Sequence, residues 1–261
     1  QPGTYVEGDK IAADMDSNGW PSQKRDDVLR ILRRCSAFHI AGDQHLATVV
    51  RHGIEDFGDA GFTFTGPALN NIWPRRWWPP REDRHAPLDI PGPEYTGDFL
   101  DGFGNRITVH ASANPRATGR QPALLHDRVT GYGIVIFDKA NELITIECWP
   151  RHVDPSQDRA MQFEGWPITV HSDSGDGRKP VWYLPSIRVH GLEHAPVVQL
   201  RSISGKLIYS RRMQGMEFNL PVFDYGPHVV RIGDPDIARW LEHTVQPNEQ
   251  SATPLFFDFT Q

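Results

Sequence analysis

The sequence predicts an α/β chain that ends in a small β-sandwich, on three observations. Residues 23–53 alternate helix, strand, sharp loop and helix; apolar spacing changes to a period of two from about residue 104; and residues 187–234 form a compact all-β pattern. The 261 residues suffice for one large or two modest domains, and apolar residues at 38% spread along the whole chain exclude wholesale disorder. A net charge of -6, with no clustered basic face, excludes a nucleic-acid coat. No run of about eighteen apolar residues occurs, so no helical membrane span is expected.

The elements follow in order. Ser22 is an N-cap for a helix over 23–34, whose Val28, Leu29, Ile31 and Leu32 give it an apolar face. Residues 37–41 form a short buried strand, Gly42 breaks it, and 45–53 is expected to be a helix closed by Gly53. The loop between them leaves the carboxyl end of a strand, where α/β sheets place their chemistry. A strand over 62–65 leads into an irregular stretch rich in Pro, Trp and Arg that runs to about residue 93. Beyond 104, Ile107, Val109 and Ala111 alternate, residues 132–149 form a hairpin turning around 139–141, and 166–171 adds a strand. DGFGN at 101–105 is a tight turn, with too few carboxylates for a calcium loop. The Gly-rich stretch HSDSGDGRKP is the linker candidate, giving expected domains 1–180 and 181–235 and a tail, 236–261, that contains a short helix over 236–244 and an apolar end that docks on a surface.

Two cysteines, Cys35 and Cys148, exclude a disulfide scaffold and a cysteine zinc cluster; whether they pair is left open. Trp precedes Pro at Trp20, Trp73, Trp78, Trp149 and Trp166, which makes rigid extended corners that either bury a large ring or offer it to a ligand. The opening residues carry no export signal and no initiating Met, so a processed or truncated chain is expected.

The chemistry-bearing constellation is Gly42, Asp43, Gln44 and His45. A carboxylate and an imidazole two residues apart on a tight loop can point at one shared ion, and the mixed oxygen and nitrogen donors suit iron, manganese, zinc or calcium. The alternative is a loop Asp that caps the following helix, with His45 on its first turn. Arg75 and Arg76 in WPRRWWPP are positioned either to clamp a phosphate or to stack on neighbouring Trp rings. Asn70 and Asn71 line a cleft or form a turn, and His126 and Asp127 sit on a loop at its mouth. His39 faces away from the metal loop, and His52, one helical turn pair beyond His45, is too far to share its ion.

AFHIAGDQHLATVVRHGIEDFGDAGFTFTGPALNNIWPRRWWPP, GDFLDGFGNRITVHASANP, GYGIVIFDKANELITIECWPR and GWPIT together resemble the C-terminal half of the PhoD-like metallophosphatases, the alkaline phosphatase D family of the calcineurin-like superfamily. The resemblance runs from about residue 14 to 171, with a looser match to 234. It implies the second half of a four-layer α/β/β/α sandwich followed by a small immunoglobulin-like β-sandwich. It also implies a binuclear metal centre, iron with calcium (zinc or manganese as variants), in which Asp43 and His45 are ligands and Asp16 ligates or orients; an Asx turn is the alternative for Asp16. Arg75, Arg76 and Asn70 would then hold a phosphate-ester substrate, and a metal-bound hydroxide would hydrolyse it, between cations about 4 Å apart. The family's early acidic motifs are not in these residues. The expected partner is therefore the N-terminal half of the same precursor, or its covalent upstream segment, and the family's usual export implies an extracytoplasmic location. The expectation of a different class is a non-catalytic, secreted binding or structural protein that uses the β-sandwich and its exposed Trp residues.

Overall fold

The computed structural model describes residues 4–6, 10–12, 19–42, 45–70, 75–114, 129–157, 161–246 and 254–260. The chain divides into two compact units, Gln1–Gly177 and Arg178–Gln261. The chain is mostly sheet, at 40% strand against 9% helix, in several separate sheets, an all-β and α/β mixture with less helix than the expected α/β first segment implied.

In the first unit, β1 (Thr4–Val6) and β2 (Lys10–Ala12) form an antiparallel ribbon. α1 (Ser22–Arg33) follows where the apolar spacing places a helix. Pro21, not Ser22, takes the N-cap position, because its fixed φ of -68° already suits a helix start. α1 buries Arg25 and Leu29, and Leu29 packs with Ile54 and Ala60. Arg30 and Arg33 in its last turn complement the helix dipole and both reach Glu55.

β3 (His39–Ala41), β4 (Thr48–His52), β5 (Phe62–Thr65), β6 (Gly97–Leu100) and β7 (Arg106–Ser112) form a five-stranded sheet of order β3-β5-β4-β7-β6, with β3 parallel to β5 and the other pairs antiparallel. β8 (Gly131–Asp138), β9 (Leu143–Pro150) and β10 (Ile168–His171) form a second, antiparallel sheet of order β10-β9-β8. Ala47, Val49, Phe62, Phe64 and Ala111 of the first sheet pack on Ile144, Ile146, Cys148 and Val170 of the second. Trp77, Val50, Phe99, Ile107 and Val109 form a separate core.

The segment expected to be a helix over 45–53 is strand β4. Thr48, Val49 and Val50 are a β-branched run, stiff in a helix and suited to a pleated, two-sided burial. Gly53 is not a helix cap. A Cβ there would lie 2.3 Å from the Asp56 carbonyl, so the chain turns back at a point only glycine fits. DGFGN is a turn, as expected: Asp101 accepts from the backbone N–H of Phe103 and Asn105. Cys35 and Cys148 are both free thiols. Trp149 and Trp166 are buried corners, whereas Trp20 and Trp78 are about half exposed.

In the second unit, β11 (Trp182–Tyr183), β12 (Ile187–His190), β13 (Val197–Ser202), β14 (Leu207–Arg212), β15 (Glu217–Phe218), β16 (Pro221–Val222), β17 (His228–Asp234), β18 (Arg239–Val245) and β19 (Leu255–Asp258) build sheets of order β14-β13-β17-β18, β15-β12-β19 and β11-β16. Ile187, Val198, Leu200, Tyr209, Val230 and Phe257 share one core. The helix expected over 236–244 is instead the hairpin strand β18, turned by Ala238 at φ 52° and held to β17 by the Arg231–Glu242 pair and by Arg231 over Trp240. The apolar end is β19, paired in parallel with β12, with Phe257 and Phe259 inside the core. Among the described residues no helix is long and apolar enough to cross a membrane.

Candidate functional site

The register brings one end of the five-stranded sheet into line. Ala41 of β3 pairs with Thr65 of β5, Thr65 with Thr48 of β4, and Thr48 with Ser112 of β7. The loop carrying Gly42 and His45, the segment after Gly66 and the chain after Ser112 therefore leave from the same end. Thr48, Thr65 and Ser112 are each 1% exposed, which makes this end a row of buried hydroxyls rather than an apolar rim.

His45 has a φ of 54°, an uncommon left-handed backbone for a side-chain-bearing residue, and its carbonyl accepts from Arg75 N–H at 3.3 Å. Two residues on, Trp77 N–H donates to Asn114 Oδ1 at 3.0 Å. The RRWWPP part of the stretch, from Arg75 on, is thus laid across the end of the sheet, from the start of β4 to the end of β7. Its anchor is the Trp77 ring, fully buried, with Nε1 donating to the Tyr95 carbonyl at 2.8 Å. Of the two arginines, Arg76 stacks over Trp78 at 4.1 Å, and both are half-buried.

Asn70 is exposed and accepts from Arg151 at 2.6 Å, on the β9 side. Asp43, Asp16, Asn71, His126 and Asp127 lie outside the described residues. The structure therefore ties the Arg75 backbone to His45, with Arg76 next in the chain and its guanidinium over Trp78.

Sequence reasoning missed Asn114 and the hydroxyl row. Asn114 Oδ1 accepts from both Trp77 N–H and Ser112 O–H, while its Nδ2 is buried without a partner, as is Thr65 Oγ1. The signal available was positional: Thr48, Thr65 and Ser112 each stand at a strand end beside a loop.

Two residues back along β5, a second polar group is organised differently. Arg25 can only donate, so its Nη2, 3.2 Å from His52 Nδ1, makes that nitrogen an acceptor. His52 Nε2 then carries the hydrogen and donates to Thr63 Oγ1 at 2.7 Å, leaving the Thr63 hydroxyl to donate to His39 Nδ1 at 3.3 Å. Burial above all holds His52 well below the ordinary histidine range, and the neighbouring Arg25 charge adds to it; burial likewise lowers His39. His52 is a buried strand residue, so the helical spacing that set it apart from His45 does not apply.

Among the described residues no three His, Cys, Asp or Glu side chains lie together in a way that could hold a metal ion. Of the three expected ligands His45 alone is described, and one imidazole does not make a centre. The described donors do not fit a metal site by themselves.

Comparison of the chain with protein-family models, with curated proteins and with solved structures finds no match in any of the three.

Proposed function

We propose that the first unit is the carboxyl-terminal half of a metal-dependent phosphoesterase, PhoD-like in kind. Asp43 and His45 are part of a donor set whose other members lie beyond the described residues, and Arg75 and Arg76 are placed to meet a phosphate ester. The observation that carries this is a pair of strand edges that no described strand covers. β3 ends the order of the five-stranded sheet and β8 ends that of the three-stranded sheet. Phe38, just before β3, meets Phe137 of β8 edge to face at 6.3 Å, so both edges lie on one side of the sandwich. Ile40, Ile136 and Phe137 there are exposed at 55%, 43% and 55%. Open strand edges carrying large apolar side chains are a liability unless further strands cover them. The Gly42–His45 loop begins where β3 stops, so a strand added parallel to β3 would end beside His45 and could present further ligands to it. The N-terminal half of the same precursor is the partner that fits, and the two sheets with α1 outside them would be part of the four-layer sandwich. An extracytoplasmic location, and an iron–calcium pair with zinc or manganese as alternatives, belong to the same proposal.

The test is the complete gene product, assayed for phosphate-ester hydrolysis and for bound metal. His45→Ala should abolish turnover and lower metal content; turnover retained in that variant defeats the proposal.

A second reading has its own observation. Trp182, Tyr183, Tyr225 and Phe256 of the second unit are exposed aromatics, the kind of surface that stacks on sugars or on another protein. It predicts that the Asp43→Asn, His45→Ala double variant binds its partner as well as the unaltered chain.

A further inference from the structure

We infer that Asn114 is an oxyanion-binding residue: its side-chain amide donates to a phosphate-class ligand beside His45. The orientation of that amide follows from its neighbours. A backbone N–H cannot accept, so the Asn114 atom facing Trp77 N at 3.0 Å must be oxygen, and the Ser112 hydroxyl at 3.1 Å donates to the same atom. Nδ2 is thereby fixed as the free end, with two hydrogens and no partner, in a place closed to bulk solvent. A buried donor left unmade is costly, and such groups in a folded protein mark a missing water, ion or ligand.

The position says which. Ala113 N–H donates to the Ala47 carbonyl at 2.9 Å, extending the β4–β7 pairing past Ser112 and setting Asn114 opposite Leu46, next to His45. Arg75 is tied to His45 and Trp77 to Asn114, so Arg76, whose Nε is also buried and unpartnered, is held on the stretch between them. Among the described residues here the unpartnered buried atoms are the donors Asn114 Nδ2 and Arg76 Nε and the Thr65 hydroxyl, which can also donate, and the charged side chains beside them are guanidinium. Donors without acceptors select an acceptor-only ligand, which a phosphate oxyanion is.

The choice of phosphate rests on the phosphoesterase reading, but binding is read without turnover. Inorganic phosphate titrated into the full chain should shift the Asn114 side-chain amide resonances in a saturable way that chloride at equal ionic strength does not. Asn114→Asp keeps an acceptor for Trp77 and Ser112 but loses the donor, and should weaken phosphate at least tenfold; Ser112→Ala should leave its affinity within about threefold. An unchanged affinity in Asn114→Asp overturns the inference. So does a chain whose Asn114 resonances ignore phosphate, a result that would make the amide a water site; it needs no variant to fold. A shift at Asn114 without hydrolysis by the complete gene product would keep this site and remove the proposed reaction, whereas hydrolysis without the shift would do the reverse.

Discussion

Two polar groups on one sheet face opposite tasks. In the ladder of Arg25, His52, Thr63 and His39, each side chain passes a hydrogen to the next, and the arginine also donates to the Gly53 and Arg106 carbonyls. At the loop end, two residues further along β5, Thr65 Oγ1 and Asn114 Nδ2 are as buried and have nothing. Both groups hold buried polar atoms; in the ladder the chain supplies a partner for all but Arg25 Nε, whereas at the loop end Thr65 Oγ1 and Asn114 Nδ2 are left without one. A nearly closed chain of donors and acceptors fixes α1 against the sheet. An open one is kept at a stability cost and is where a ligand has something to gain.

The largest expected effect breaks the closed side. Arg25 ties α1 to three acceptors from the sheet and its turns, so Arg25→Leu leaves the Gly53 carbonyl and His52 Nδ1 without their donor and the Arg106 carbonyl with the Gly53 N–H alone. Charged hydrogen bonds of this kind are worth about 2 kcal/mol each, and relief from burying a cation offsets part of the loss. A destabilisation of about 3 kcal/mol in urea unfolding is expected. A neutral result would mean the ladder does not hold the helix.

Acid should act on the same side. His52 is held well below the ordinary histidine range by burial and by Arg25, and burial, then Arg51, takes His110 from 6.5 to about 4. Between the folded and unfolded pKa values the unfolded chain binds more protons, so stability rises with pH across that window. The contribution is whole above 6.5 and is lost as pH falls toward 4, with a slope of up to about 1.4 kcal/mol per pH unit for each group. Protonated His52 would also lose its acceptor and face the Arg25 guanidinium. Thermal unfolding followed from pH 7.5 to 4.5 should show the loss, and His52→Gln should flatten its steepest part. An equal slope in that variant would place the acid sensitivity elsewhere.

The alternation in β7 was legible because period-two burial leaves a direct mark on the sequence, and the hairpin of β8 and β9 and the fully buried strand β5 because their β-branched and aromatic runs do. β4 and β18 were misread for opposite reasons. In β4 the β-branched run was outweighed by a glycine taken for a cap, although its real constraint is the Asp56 carbonyl beneath it. In β18 the exposed, mixed pattern of an edge strand has no period to find, and its register comes from β17. The GDQH loop stood out by residue type. Asn114 did not, because its significance depends on which of its two amide atoms Trp77 occupies, a contact between residues 37 apart in sequence.

The smallest expected effect is the sharpest, because it uses one substitution at two places on β5. Thr63→Val removes the link between two histidines, leaving His52 Nε2–H and His39 Nδ1 unpaired, and should cost about 1–2 kcal/mol. Thr65→Val removes a buried hydroxyl that has no partner, while adding a methyl group of nearly the same size. It should be neutral within about 0.5 kcal/mol, or slightly stabilising. Strand, exposure and β-branching are matched between the two sites, so propensity cannot separate them. If paired denaturant curves show Thr65→Val as costly as Thr63→Val, the loop end is satisfied after all, by groups or waters held in the folded chain, and the contrast drawn between the two groups disappears. If only Thr63→Val is costly, the hydroxyl at Thr65 is there for something other than the fold.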